Sequence, residues 1–117
     1  MIKVNNYFDG NVKSLGFERE EAAFTAGVVL PGAYTFDTES EEHLTITVGE
    51  IEVQPPGSEW RIVKTGDTVT IPANSSFDLK VKEPASYICK FVYPLESDCF
   101  FDSNKFLMVQ SLNLTFK

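Results

Sequence analysis

A single-domain, all-β sandwich or barrel is the fold class this sequence predicts, and three observations carry it. Apolar and polar residues alternate at period two through most of the chain, whereas helical periodicity is confined to "EREEAA" at 18–23, too short to stand as a helix. Turn signals recur at short, regular intervals: Pro31-Gly32, Gly49, Pro55-Pro56-Gly57, Thr65-Gly66, Pro72-Ala73-Asn74 and Glu83-Pro84. The 117 residues suffice for one hydrophobic core but not for two independent ones.

The expected strands lie between those turns. Segments 11–17 and 22–30 flank the acidic "EREEAA", 32–37 follows Pro31-Gly32, and 42–48 runs up to Gly49. Segment 50–54 ends at the double proline, 60–64 at Thr65-Gly66, 67–71 at Pro72 and 76–82 at Glu83-Pro84; 86–93 and 106–116 complete the set. Strands this short at this spacing form sandwiches or closed barrels.

Alternation also sorts the side chains by face. Leu44, Ile46 and Val48 share one side of their strand, with Glu42 at their parity, and His43, Thr45 and Thr47 take the other. A carboxylate heading an inward stripe sits either at a cavity mouth or at a strand end in solvent. Val69 and Ile71 point inward, as do Phe77, Leu79 and Val81 after the Pro72 turn, leaving Thr68, Thr70, Asp78, Lys80 and Lys82 outside. In "SYICKFVY", Tyr87, Cys89, Phe91 and Tyr93 share a face and Ile88, Lys90 and Val92 the opposite one. A strand apolar on both faces in so small a chain predicts an interface between copies on one of them. Lys90 is then either a snorkelling interface residue or a cation offered to a ligand.

Composition narrows the function classes. The formal charge of −7 argues against a nucleic-acid backbone or an anionic membrane as partner, because both need a basic face. A phosphate-sized anion held by one or two local cations and N–H groups stays compatible with it. "MIKVNNYFDG" lacks a signal-peptide core, and no segment reaches the roughly 18 apolar residues of a membrane span, so a cytoplasmic location is expected. Cys89 and Cys99 have no metal-binding spacing and are expected as free thiols.

Two short patterns then come together: Glu42-x6-Gly49, and Gly66-x5-Pro72 followed by an inward residue at 77. They resemble the paired motifs of the cupins, which implies a double-stranded β-helix, or jelly-roll barrel. Where metal-binding cupins carry histidines this chain has Phe36 and Thr38, or Thr35 and Asp37, and Phe77; only the glutamate is kept. One carboxylate without imidazoles does not make a catalytic metal site, and His43, the single histidine, lies on the outward parity as a surface residue. No metal is expected.

A more specific resemblance rests on "NNYFDGNVKSLGF" (5–17), "GVVLPGAYTFDT" (27–38), Glu42-x6-Gly49, "EWRIVKTGDTVTIPANSSFDL" (59–79) and "ASYICKF" (85–91). Together these are similar to the small cupin-type pyrimidine/purine nucleoside phosphorylases, over residues 1–91. Residues 92–117 have no counterpart in the short members and are expected as an added strand or interface segment of the same domain. The resemblance implies a metal-free enzyme, dimeric and cytoplasmic, that cleaves purine and pyrimidine nucleosides with inorganic phosphate, giving free base and α-D-ribose 1-phosphate. No cofactor is implied beyond phosphate as co-substrate.

That chemistry passes through an oxocarbenium-like ribosyl transition state, which a carboxylate can stabilise while accepting ribose hydroxyls. It points to Glu42 for the ribose and the developing charge, Thr38 and Tyr34 as hydroxyl contacts, Phe36 and Phe77 as apolar walls, and Lys90 as the phosphate ligand. Family members commonly have arginine at the Lys90 position, so here a point charge replaces a bidentate fork. Tyr34, Phe36 and Phe77 are residues that are more often plain core than binding-site walls. Arg61 beside Trp60 reads as surface, and Asn74, Ser75 and Ser76 as turn formers. The rival from another class is a non-catalytic, metal-free cupin that binds a small molecule or a second copy. A sugar epimerase or isomerase is a third option, lacking an obvious interior base.

Overall fold

The computed structural model describes residues 1–20 and 22–92. The expected strand 106–116, the extension 92–117 beyond its first residue, Tyr93 and Cys99 lie outside the described residues. Ten strands follow one another: β1 (Lys3–Tyr7), β2 (Val12–Arg19), β3 (Ala22–Val29), β4 (Gly32–Asp37), β5 (Glu41–Val48), β6 (Glu50–Gln54), β7 (Arg61–Lys64), β8 (Thr68–Ile71), β9 (Ser76–Val81) and β10 (Ala85–Val92). One 3-10 turn, Phe8–Gly10, links β1 to β2.

The strands form two antiparallel sheets, a larger one ordered β1-β2-β3-β10-β5-β8 and a smaller one ordered β4-β9-β6-β7. This is the jelly-roll arrangement that the cupin motifs imply. The inner faces of the two sheets meet in one core, where Val12, Val29, Ile46, Val53, Val63 and Ile71 are almost wholly buried. Removing that apolar surface from water is the main term stabilising the fold.

Two local features depart from the sequence reading. Strand β1 is not expected from pattern, because its inward positions are Asn5 and Tyr7 and asparagine is depleted in strands. Around the acidic stretch, Glu18 and Arg19 end β2 and Ala22 and Ala23 open β3 in place of any helix, with Arg19 paired to Ala22 and Glu20 at φ 53°. A left-handed turn residue matches the right-handed twist of the strands it joins.

Val48, expected inward with Leu44 and Ile46, faces outward at 64% exposure. The cause is a register shift between β10 and β5: Tyr87 pairs with Ile46, and its neighbour Ser86 pairs with Val48. Thr47 is the extra residue, and one extra residue reverses the parity of the positions beyond it. The chain then turns at Gly49, with φ 93°, where a Cβ would also lie 3.3 Å from that of Ala85. The Gly49 N–H donates to Thr65 Oγ1 (2.9 Å), and the Thr65 hydroxyl donates back to the Gly49 carbonyl (3.0 Å), clasping the two glycine turns of the cupin motifs together.

Candidate functional site

Strand register arranges the inner face of the larger sheet in rows. Asn5, Ser14, Gly27, Tyr87 and Ile46 lie side by side across β1, β2, β3, β10 and β5. The next row holds Thr25, Cys89, Leu44 and Val69, and the one beyond it Ala23, Phe91, Glu42 and Ile71. A polar band therefore runs obliquely over the sheet, from Asn5 and Ser14 past Thr25 and Cys89 to Glu42. Across from it the smaller sheet presents Phe36, Ile51, Phe77 and Leu79. Between the two lies a cavity of about 60 Å³ whose polar groups all stand on the larger sheet, among Val12, Val29, Leu44, Ile46 and Phe91 of the same sheet, and whose opposite wall is apolar throughout. At about 10–15 Å³ per water, that encloses a handful of water-sized groups.

Glu42 is the charged residue of the band, and it is buried rather than at a wet strand end. Its Oε1 accepts a hydrogen bond from Cys89 Sγ at 3.5 Å. Burial raises its pKa from 4.5 to about 7, against a smaller opposing effect of the thiol bond. No lysine or arginine is among the described residues lining the cavity to hold the carboxylate ionised. The Cys89 thiol is itself pushed up, by burial first and then by Glu42, so it stays a thiol.

Phe36 and Phe77 face each other across β4 and β9 and stack with centroids 5.7 Å apart at 23°. Tyr7 and Phe8 meet the Phe36 ring edge-on at 5.8 and 5.4 Å. Phe77 is buried, whereas Phe36 is half-buried. Both line the cavity.

The other three expected contacts lie elsewhere. The Tyr34 hydroxyl donates to the carbonyls of Leu30 (2.7 Å) and Pro31 (3.2 Å), pinning the turn before β4, and does not line the cavity. The Thr38 hydroxyl donates to the Pro72 carbonyl at 2.7 Å and accepts from the Ser75 N–H at 3.0 Å, tying the Pro72 turn to the end of β4. Thr38→Val removes both buried bonds and is expected to cost about 1–3 kcal/mol, measured by urea denaturation, with the cavity lining unchanged. Lys90 points away from the cavity: it is exposed on the outer face, paired across the sheet with Phe24 and His43. Inner and outer positions alternate along β10, so a strand that aims Cys89 and Phe91 inward must aim Lys90 outward.

Tyr7, Ser14, Thr25, Tyr87 and Cys89 line the cavity without having been singled out as site residues from sequence. The signal available was a polar residue at an inward parity, Ser14 between Val12 and Gly16, and Thr25 between Ala23 and Gly27. Burial is the first cause raising the pKa of both phenols, and nearby Glu42 adds to it, so both stay protonated through the neutral range. His43 Nε2 lies 2.6 Å from Glu41 Oε2 at the surface, and among the described residues no cluster of three or more His, Cys, Asp or Glu side chains could hold a metal ion. No helix among the described residues is long and apolar enough to cross a membrane.

Known proteins match this chain over the same region. A family described as pyrimidine/purine nucleoside phosphorylase matches residues 2–91. A pyrimidine/purine nucleoside phosphorylase of Magnetococcus marinus is 44% identical over 92 residues, which is 78% of this chain and 99% of that protein. The crystal structure of a protein of unknown function from Vibrio parahaemolyticus superposes with a TM-score of 0.76 at 40% identity, covering 79% of this chain and 99% of that one. An ethanolamine utilization protein from Salmonella typhimurium, described as putative, superposes at TM-score 0.63 with 16% identity, over 78% of this chain and 93% of that one, a likeness of fold alone.

Proposed function

The chain belongs to the pyrimidine/purine nucleoside phosphorylase family, and from that premise we propose that it cleaves purine and pyrimidine nucleosides with inorganic phosphate, giving free base and α-D-ribose 1-phosphate. The observation that carries the reading is the two-walled cavity with a buried Glu42 on its polar side and the stacked Phe36 and Phe77 opposite. Aromatic faces hold a flat base without reading its edge, which suits tolerance of both base classes. The enclosed volume of about 60 Å³ is too small for a whole nucleoside, so the base is assigned to the side of Phe36, the half-buried member of the stack.

A phosphate oxygen attacks the anomeric carbon, the carbon–nitrogen bond breaks, and its electron pair leaves with the base. The base takes a proton from the Glu42 carboxyl, whose pKa of about 7 suits proton transfer near neutrality. The esterified phosphate gives up its own remaining proton, which restores that of Glu42 over the cycle. The acid form thus replaces the carboxylate role expected from sequence, because a second anion beside phosphate is unfavourable where no cation lines the wall. The reaction needs no metal or organic cofactor.

Phosphate-dependent release of base from a panel of nucleosides by the chelator-treated protein tests this. Release that requires phosphate supports phosphorolysis. The second reading, a metal-free binding cupin, is favoured by one observation, that Lys90 lies outside the cavity. Failure to release base from any nucleoside would decide for it.

The enzyme is proposed to act as a homodimer in the cytoplasm, with nucleosides and phosphate as small-molecule partners and no nucleic acid or membrane. The outer face of the larger sheet supports the dimer: Val4, Leu15, Ala26 and Ile88 form an apolar row across four strands, with Val28 beside it at 51% exposure. Contiguous exposed apolar surface of this kind marks an interface. Leu15→Glu is expected to convert a dimer to a monomer in sedimentation equilibrium; a dimer left intact places the interface elsewhere.

A further inference from the structure

We propose that Tyr7, Ser14 and Tyr87 form the phosphate subsite of this cavity, binding the anion through neutral hydroxyl donors instead of through Lys90. The inference rests on the phosphorylase reading for its ligand, and on geometry for its place.

Lys90 projects from the outer face, and no lysine or arginine is among the described residues of the cavity wall. Apart from Glu42, Cys89 and Thr25, the polar side chains of that wall gather at one point. The Ser14 hydroxyl stands close enough to the phenols of Tyr7 and Tyr87 to favour their ionised forms, and it accepts a hydrogen bond from Asn5 Nδ2 at 3.1 Å. Its single O–H can turn from a neighbouring phenol oxygen to an anion. Burial keeps both phenols protonated, so they too can donate to an anion. Hydrogen bonds to a charged acceptor are about twice as strong as neutral ones, and preorganised neutral donors stabilise oxyanions in dry sites.

Gly27 is a second, independent sign that this spot is built. It pairs with both Ser14 and Tyr87, and a Cβ there would lie 2.4 Å from Tyr87 Cζ and 2.5 Å from its hydroxyl. Only glycine lets the Tyr87 ring lie against β3 with its hydroxyl end beside Ser14. A glycine inside a strand weakens the strand, and it commonly marks a place where another group must approach closely. The enclosed volume of about 60 Å³ also suits a compact anion better than a nucleoside. A protonated Glu42 removes the one negative charge that would oppose phosphate in this space.

The test is titration of the full chain with inorganic phosphate, followed by calorimetry and by phosphorus NMR, with chloride as control. Tyr87→Phe and Ser14→Ala are each expected to weaken phosphate binding about tenfold or more, and Lys90→Ala to leave it unchanged. Gly27→Ala removes no polar group but displaces the Tyr87 ring, and is expected to weaken binding equally. Because the displaced atoms are the far end of a side chain, the ring can move without unfolding the sheet; far-UV circular dichroism checks this. Should that variant fail to fold, Tyr87→Phe carries the test.

Loss of binding in Lys90→Ala with full binding in the hydroxyl variants overturns the subsite, as does the absence of phosphate binding by the wild-type chain. Phosphate-dependent release of base with a phosphate KM unmoved by Tyr87→Phe also overturns it, while leaving the phosphorylase reading intact. Phosphate bound through these hydroxyls with no base released supports the subsite and removes the phosphorylase reading.

Discussion

Glu42→Gln is expected to abolish phosphate-dependent base release, by about a hundredfold or more, and in the same protein to raise thermal stability above pH 7. The loss of activity follows from the missing acid proton, since a positioned general acid contributes about 10²–10⁴-fold. The gain in stability follows from linkage. In the folded chain the Glu42 pKa stands at about 7 against an ordinary 4.5, because burial disfavours the charged form. The fold therefore binds the protonated form more tightly than the unfolded chain does. That contribution is fully present below pH 4.5 and is lost as pH rises through about 7. It amounts to about 3 kcal/mol between the two limits. Glutamine keeps the shape of the neutral acid and cannot ionise, so the wild-type melting temperature should fall by roughly 10 °C between pH 5 and 8 relative to the variant. Thermal melts across that range check it. Parallel curves would mean that Glu42 ionises freely in the folded state, and the proton donor would have to be sought elsewhere.

Truncating the two stacked rings should separate packing from ligand contact. Phe77 is 6% exposed and is packed within the core, so Phe77→Ala is expected to destabilise the fold by about 3–5 kcal/mol in urea denaturation. Phe36 is half-buried at the solvent side of the same stack, and Phe36→Ala should cost clearly less. Its main effect should be a higher KM for the nucleoside with kcat little changed, the pattern of a lost binding contact. Equal destabilisation by both variants, with an unmoved KM, would assign the pair to the core alone.

The inward assignments of Leu44, Ile46, Val69, Ile71, Phe77, Leu79 and Val81 were legible because each strand obeys period two over the residues concerned. Parity failed at Val48, where Thr47 bulges between two paired positions, an irregularity set by the partner strand and invisible in the local pattern. It failed at β1, where the inward side chain Asn5 is polar and hides the alternation. The buried carboxylate was legible as an acidic residue at an apolar parity. The hydroxyls of Ser14, Tyr7 and Tyr87 were not, because Tyr87 on β10 reaches the neighbouring strands β1 and β2 only across β3, once the register is set. Lys90 is the instructive case: alternation along "SYICKFV" already separated it from Cys89 and Phe91, and only the family resemblance directed it to phosphate. The family itself was legible because its likeness runs along residues 1–91 as a whole.

The polar groups that line the cavity all stand on one sheet, and that has a consequence for altering the protein. Positions 36, 51, 77 and 79 contribute no polar group to the lining; 51, 77 and 79 are packed in the core, and 36 meets Tyr7 edge-on. On the proposed reaction, volume-conserving changes at the half-buried Phe36 bear on base preference while Glu42 stays on the other sheet. On that proposal the two tasks have separate addresses in the chain, and a small library at position 36 explores new nucleobase analogues while every carboxyl and hydroxyl of the lining keeps its place in the sequence.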